Sequence, residues 1–184
     1  MRKIFVDLGA HTGESVEAFY NRQMIKDIRG YLIFCFEPLF ILVVWDWLMR
    51  KYPITLIPKA AWLYDGEVPF GIHQNVISST IIKEKIDYNK KNVIKVPCID
   101  FSQWIRQFKD DYVVVKFNVE GAEFDIIEKM IKDGTIGIIK KAFIEYHDGK
   151  MTKPIYDREK LKKKLDKLGI IHIDWRRHNV PTDQ

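Results

Sequence analysis

Six short apolar runs, most of them followed by a stretch of helical periodicity, set the limits on what this chain can become. They are KIFVDL from Lys3, YLIFCFE from Tyr31, ITLIPKAAW from Ile54, DYVVVKFNV from Asp111, KAFIEYH from Lys141 and IIHIDWR from Ile170. Near-continuous Val, Ile and Phe suits strands buried on both faces, as in a parallel sheet. Helical patterns cover Glu14–Tyr20, Phe40–Lys51 just after Pro38, Phe101–Phe108, Ala122–Lys132 ending near Gly134, and Arg158–Leu168 ending at Gly169. This alternation predicts a single α/β domain over residues 1–184, with a mostly parallel open sheet and helices on both faces. The stretch from Gly66 to Lys95 is less regular and is expected to form an extra hairpin or a loop over the site.

Other classes are disfavoured by simple observations. A chain of 184 residues with 47% hydrophobic content can bury a real core. The net charge of +5 is mild, and the dense run REKLKKKLDKLG reads as a solvated helix face, so a nucleic-acid partner is not expected. The greasiest segment, LIFCFEPLFILVVWDWLM, is broken by Glu37, Pro38 and Asp46, whereas a bilayer-spanning helix needs ~20 near-continuous apolar residues. The N-terminus enters a strand at once, without the order of a signal peptide. Cys35 and Cys98 form no C-x-x-C pair and read as reduced thiols, so a cytoplasmic location is expected.

In such a sheet, ligands bind beyond the carboxyl ends of the strands, where the winding reverses. Those ends carry Asp7, Gly9 and Gly13; Glu37; Ala61 and Trp62; Asn118, Val119, Glu120 and Gly121; and Glu145, Tyr146, His147 and Asp148. The turn Gly9-Ala10-His11-Thr12-Gly13 lacks the middle glycine of the G-x-G-x-x-G dinucleotide fingerprint. A carboxylate at Asp7 would repel a pyrophosphate but attract a sulfonium and an α-ammonium group. The pattern therefore suits S-adenosyl-L-methionine better than NAD. Glu37, just before Pro38, can accept from both hydroxyls of a ribose.

The segments FVDLGAHTGES, FCFEP, KAAWLYDGEVPF, SST, VPCIDFSQWI, VVVKFNVEGAEFDIIEKM and FIEYH resemble the FkbM-type methyltransferases over roughly Lys3 to Asp148. Lys116, Glu120, Gly121, Ala122 and Glu123 match the family phrase K-h-D-h-E-G-A-E, where h is apolar, but Asn118 stands in place of its aspartate. Asparagine keeps the size and hydrogen bonding and loses the charge and basicity. The resemblance implies a class I methyltransferase fold, Rossmann-like, that moves the methyl group of S-adenosylmethionine to a hydroxyl oxygen. It implies a sugar of a glycan or a natural product as acceptor. It further implies that Ser78, Ser79 and Thr80 lie near the adenosine or the methionine carboxylate. Ala61 and Trp62 are expected to flank the adenine, with a core role for Trp62 equally open.

Methyl transfer is an in-line displacement, in which alignment of the partners contributes ~7–11 kcal/mol. A base that removes the hydroxyl proton adds about 10²–10⁴-fold. His147 is the first choice, because a neutral imidazole takes a proton near pH 7. Glu145 would orient the ring or bind substrate, Glu120 would contact the acceptor or act as base, and Asp148 is a further candidate. Glu123 is read as an acid favouring the next helix N-terminus. Oxygen ligands at Asn118, Glu120, Glu145 and Asp148, with His147, would suit Mg²⁺, but no strict spacing supports a metal site, and none is assigned. Competing readings are a nucleic-acid methyltransferase, a cofactor-binding protein without turnover, and an NAD-dependent oxidoreductase. The first is weakened by FNVEG where N-P-P-Y would be expected.

Overall fold

β1 (Lys3–Leu8) lies in the middle of the main sheet, flanked on one side by β2 (Tyr31–Phe36) and on the other by β7 (Tyr112–Phe117). In the computed structural model the described residues are 1–22, 24–39, 42–74 and 78–175. The sheet is completed by β3 (Ile54–Ile57), β8 (Ile139–Ile144) and β9 (Ile171–Asp174), in the order β3-β2-β1-β7-β8-β9, and every pairing is parallel. The order runs outward in both directions from β1 and β7, so the winding reverses between them. That is where a parallel sheet opens a crevice.

Helices cover both faces, as parallel strands buried on two sides require. On one face α1 (Glu14–Tyr20) and α2 (Leu42–Lys51) bring Val16, Phe19, Trp45 and Leu48 against Phe5, Val114 and Phe143. On the other face α3 (Phe101–Trp104), α4 (Ala122–Lys132) and α5 (Arg158–Lys167) pack Phe101, Phe124, Ile127, Leu161 and Leu165 against Ile4, Val6, Val115 and Phe117. α3 continues as a 3-10 turn over Ile105–Phe108, which completes the expected 101–108 helix in a tighter form. The residues Phe40 and Ile41 of the expected second helix lie outside the described residues.

Two departures from the sequence reading have clear causes. The expected third strand divides at Pro58: β3 stays on the main sheet, while β4 (Ala60–Trp62) leaves for a second sheet. Proline offers no N–H to continue a ladder. The second sheet has the order β4-β6-β5, with β5 (Gly66–Gly71) antiparallel to β6 (Val93–Asp100). β6 is absent from the six apolar runs because buried Val96 and Cys98 alternate with exposed Lys95 and Pro97. The irregular stretch thus supplies an antiparallel pair, and the segment between β5 and β6 is tied across the main sheet. Gly71 bridges Thr80, Lys85 bridges Met151, and Thr152 donates to the Glu84 carbonyl at 2.7 Å. No helix among the described residues is long and apolar enough to cross a membrane.

Candidate functional site

The ends of β1, β2, β7 and β8 open into a cavity of about 330 Å³, within the usual range of small-molecule sites. Its walls come from both faces of the sheet. Glu14, Ser15, Ala18 and Trp175 stand on the α1 side; Ala60, Ala61, Phe70 and Ser79 stand on the side of the second sheet. Glu37, Pro38 and Leu39 follow β2, and Lys116, Asn118 and Glu120 lie at the end of β7. Glu145 and Lys150 complete the rim after β8.

The opening turn is built for close packing within the protein. Gly9 has φ of 73°, and a Cβ there would lie 1.9 Å from the Asn118 carbonyl oxygen. Gly13 has φ of 83°, and its Cβ would lie 2.3 Å from Leu48 Cδ1. Only glycine meets both demands at either position. The amides of Gly9 and Ala10 donate to Phe36 O, that of His11 to Glu37 Oε2, and that of Gly13 to Ala10 O. These four donors are spent inside the chain, so the turn is a poor cradle for a pyrophosphate. Of its residues Gly9 and His11 line the cavity, whereas Ala10, Thr12 and Gly13 do not. His11 also receives the Trp45 Nε1 hydrogen bond at its carbonyl, and its ring meets Thr12 Oγ1 at 3.2 Å.

Asp7 does not project into the ligand space as its position in the sequence suggests. It is fully buried, outside the cavity lining, and its Oδ1 lies 2.9 Å from Lys116 Nζ. The register explains this: Asp7 is the direct neighbour of Lys116 on β7 and of Cys35 on β2. Lys116 also donates to Gly9 O at 3.0 Å and reaches the cavity wall itself. Burial, with the nearby Asp7 charge, raises the Cys35 thiol well above its ordinary value. Glu37 does line the cavity. Each of its oxygens already accepts one backbone amide at 2.8 Å, Oε2 from His11 and Oε1 from Leu39. Burial raises its pKa, and those two hydrogen bonds oppose the rise.

His147 does not stand in the cavity, where its expected role would place it. It is 1% exposed and does not line the cavity. Nδ1 sits 3.1 Å from Glu123 Oε1, and Nε2 sits 3.3 Å from Glu120 Oε1 and 3.7 Å from Glu145 Oε1. Burial disfavours the charged ring, but hydrogen bonds to Glu120 and Glu123 and their charges carry its pKa up to about 9. The upward direction favours the imidazolium at neutral pH and makes the ring a poor proton acceptor there. Glu123, expected only to favour a helix end, instead anchors this ring and accepts the amides of Gly121 and His147.

Glu120 sits at φ of 54°, an uncommon conformation for a residue with a side chain. It is held there by Thr80 Oγ1, which donates to its carbonyl at 2.7 Å. Its carboxylate meets Lys85 Nζ at 2.7 Å and Lys150 Nζ at 3.8 Å. Burial pushes its pKa up, but His147 and Lys85 bring it down to about 2. Such a carboxylate is a weak base. Glu145 has a side chain 27% exposed and lines the cavity directly. Asp148 is bound to Arg158 at 2.6 Å and is not part of the lining.

The remaining expectations divide. Ala61 and Ser79 line the cavity, but Trp62 and Thr80 do not. Trp62 packs against the apolar core, and Thr80 accepts from Ile82 N while it holds Glu120. Asn118 lines the wall, and its Oδ1 is buried with no hydrogen-bond partner. The sequence reading named Lys116 only as part of the family phrase, without a site role, and passed over Lys85. Lys116 is legible in hindsight as the sole charge in the run YVVVKF; Lys85 carries no local signal. Among the described residues no group of three or more His, Cys, Asp or Glu is arranged to hold a metal ion.

No family model, curated protein or solved structure matches this chain. The reading of the site therefore rests on its own chemistry.

Proposed function

We propose that this protein is an S-adenosylmethionine-dependent O-methyltransferase of class I fold, acting on a hydroxyl of a sugar or glycosylated metabolite. The observation that carries the reading is the charge of the cavity at the reversal between β1 and β7. Its lining includes four carboxylates, Glu14, Glu37, Glu120 and Glu145, against two ammonium groups, Lys116 and Lys150. Lys116 is matched with Asp7, and Glu120 with Lys85 and His147, so the remaining lining charges are Glu14, Glu37 and Glu145 against Lys150. An acid-rich cavity whose turn amides are spent favours a cationic nucleoside over a pyrophosphate.

The residues present fit such a cofactor. Glu37 has a second lone pair on each oxygen for ribose hydroxyls. Ala60, Ala61, Leu39 and Phe70 offer apolar walls to an adenine. When bound, the cofactor supplies an electrophilic methyl group on a sulfonium. Glu145 then takes the acceptor's hydroxyl proton, since it lines the cavity and Glu120 is pinned by Lys85 and His147. The buried imidazolium of His147 holds Glu120 and Glu145 in register. Calorimetry with S-adenosylmethionine tests the cofactor, and a labelled-methyl screen over monosaccharides, nucleotide sugars and oligosaccharides tests the reaction. No detectable binding would sink the proposal.

A second reading, a cofactor-binding protein without turnover, is favoured by the sealed His147 and by the uncharged Asn118. It predicts tight binding and no labelled product from any acceptor.

A further inference from the structure

We propose that the rim of the cavity formed by residues 83–92 and 149–155 is a docking surface for an anionic lipid bilayer, which brings the cavity mouth to a sugar carried on a lipid. The docking surface stands on its own observations; the lipid-borne sugar as acceptor rests on the reading of the cavity as a methyl-transfer site.

The two segments are held side by side. Lys85 bridges Met151, the Ile86 amide donates to Lys150 O at 2.9 Å, and the Thr152 amide donates to Glu84 O at 2.7 Å. Lys85 and Met151 are buried, so the alternation of an extended pair leaves Ile86 and Lys150 together on the outer side. Lys150 also lines the cavity, which fixes this side at the cavity mouth. Its charge is of one sign. Every exposed charged residue in the two segments is a lysine: Lys83, Lys90, Lys91, Lys150 and Lys153. Their acids are drawn in: Asp87 lies 3.5 Å from Lys85 Nζ, and Glu84 is half-buried. Exposed acids return at Asp157 and Glu159, where α5 begins.

Among these lysines stand two bare aliphatic side chains, Ile86 at 63% exposed and Ile155 at 41%. An exposed apolar residue on its own needs no explanation. Here two of them share one rim with an all-lysine charge. A peripheral protein enters a headgroup layer in this way, with aliphatic side chains at the hydrocarbon boundary and ammonium groups among anionic headgroups. A soluble polyanion fits less well. It gains nothing from aliphatic groups, and it is gripped best by arginine forks and stacked aromatic rings. The two segments hold no arginine, and their one aromatic residue, Tyr88, is packed against Gly71. A bilayer at this rim lies beside Glu145, which lines the same end of the cavity after β8. A sugar standing off that bilayer meets the carboxylate assigned as base.

Vesicle flotation tests the surface. The unaltered protein should float with phosphatidylcholine vesicles that contain about a third phosphatidylglycerol and stay behind with phosphatidylcholine alone. Ile86→Asp should weaken the partition about ten- to a hundredfold, the loss of one buried aliphatic side chain. Lys83→Gln and Lys153→Gln should each weaken it about fivefold, and Lys163→Gln, on α5, should leave it unchanged. All four positions are exposed, so folding is not at stake in these variants. No flotation with the anionic vesicles, or an equal loss in Lys163→Gln and Lys153→Gln, overturns the docking surface. So does tight binding to heparin, a polyanion without hydrocarbon, joined to flotation that Ile86→Asp leaves unchanged; the lysines then serve a soluble polyanion. A methyl-transfer rate on a glycolipid in anionic vesicles that Ile86→Asp does not lower overturns the lipid-borne acceptor alone. Failure of S-adenosylmethionine to bind the unaltered protein in calorimetry removes the methyl-transfer reading and leaves the flotation result standing.

Discussion

His147 gives the most quantitative forecast. Its ring is enclosed by Glu123 at 3.1 Å, Glu120 at 3.3 Å and Glu145 at 3.7 Å, with Lys85 behind Glu120 at 2.7 Å. Its pKa is raised from 6.5 to about 9. At about 1.4 kcal/mol per pKa unit, the folded protein gains on the order of 3 kcal/mol from binding this proton more tightly than the unfolded chain does. The sign comes from the direction of the shift. Below pH 6.5 both states hold the proton and the full contribution is present; it fades as pH rises and is gone once pH passes about 9. The lowered pKa of Glu120 is the same contact seen from its partner and is not counted again.

The assay is urea unfolding of the unaltered protein and of His147→Gln from about pH 6 to about pH 10. The stability difference between the two should shrink by about 3 kcal/mol across that range. A difference that stays constant would mean that the ring is neutral in the folded state. His147 would then again be available as a base, and the assignment of that role to Glu145 would lose its main support.

The same geometry sets further outcomes. Gly9→Ala should cost at least about 4 kcal/mol and leave little folded protein, because its Cβ meets the Asn118 carbonyl at 1.9 Å. Gly30→Ala has a similar φ with nothing within 4 Å, so thermal unfolding should register only about 1–2 kcal/mol. Lys85→Met removes a fully buried cation from Glu120, and chemical denaturation should show a loss of about 3 kcal/mol. Glu145→Gln should leave calorimetric affinity for S-adenosylmethionine intact and slow methyl transfer about 10²–10⁴-fold; an unchanged rate would remove Glu145 from the mechanism.

The sheet was readable because its strands are nearly pure apolar runs, and pattern alone carries that information. KIFVDL became β1 without adjustment, and Ala122–Lys132 became α4 with the bounds its periodicity implies. Position along the chain also told which strand ends would meet, since a parallel sheet brings all its carboxyl ends to one edge. β6 and the tie through Thr80 and Lys85 were not readable. β6 alternates buried and exposed residues and so forms no apolar run, and Thr80 and Lys85 are buried by distant residues, Glu120 and Met151, that no local window contains.

The differences between expected and observed placement at the site have one physical origin. Sequence reasoning placed charged residues at strand ends and took their charges to face the ligand. Asp7 and His147 show why that step fails. A group buried beside an opposite charge is neutralised within the protein: Asp7 by Lys116 across one strand pairing, His147 by carboxylates from the ends of β7 and β8 and from the first turn of α4. What stays open to a bound molecule is the group left over once those pairs have formed. At the end of β7 the leftover group is an uncharged amide, Asn118, whose oxygen has no partner in the protein. An aspartate there would add a further negative charge beside Asp7 and Glu120, which Lys116 and Lys85 already hold, so a neutral amide is the less costly occupant of that position.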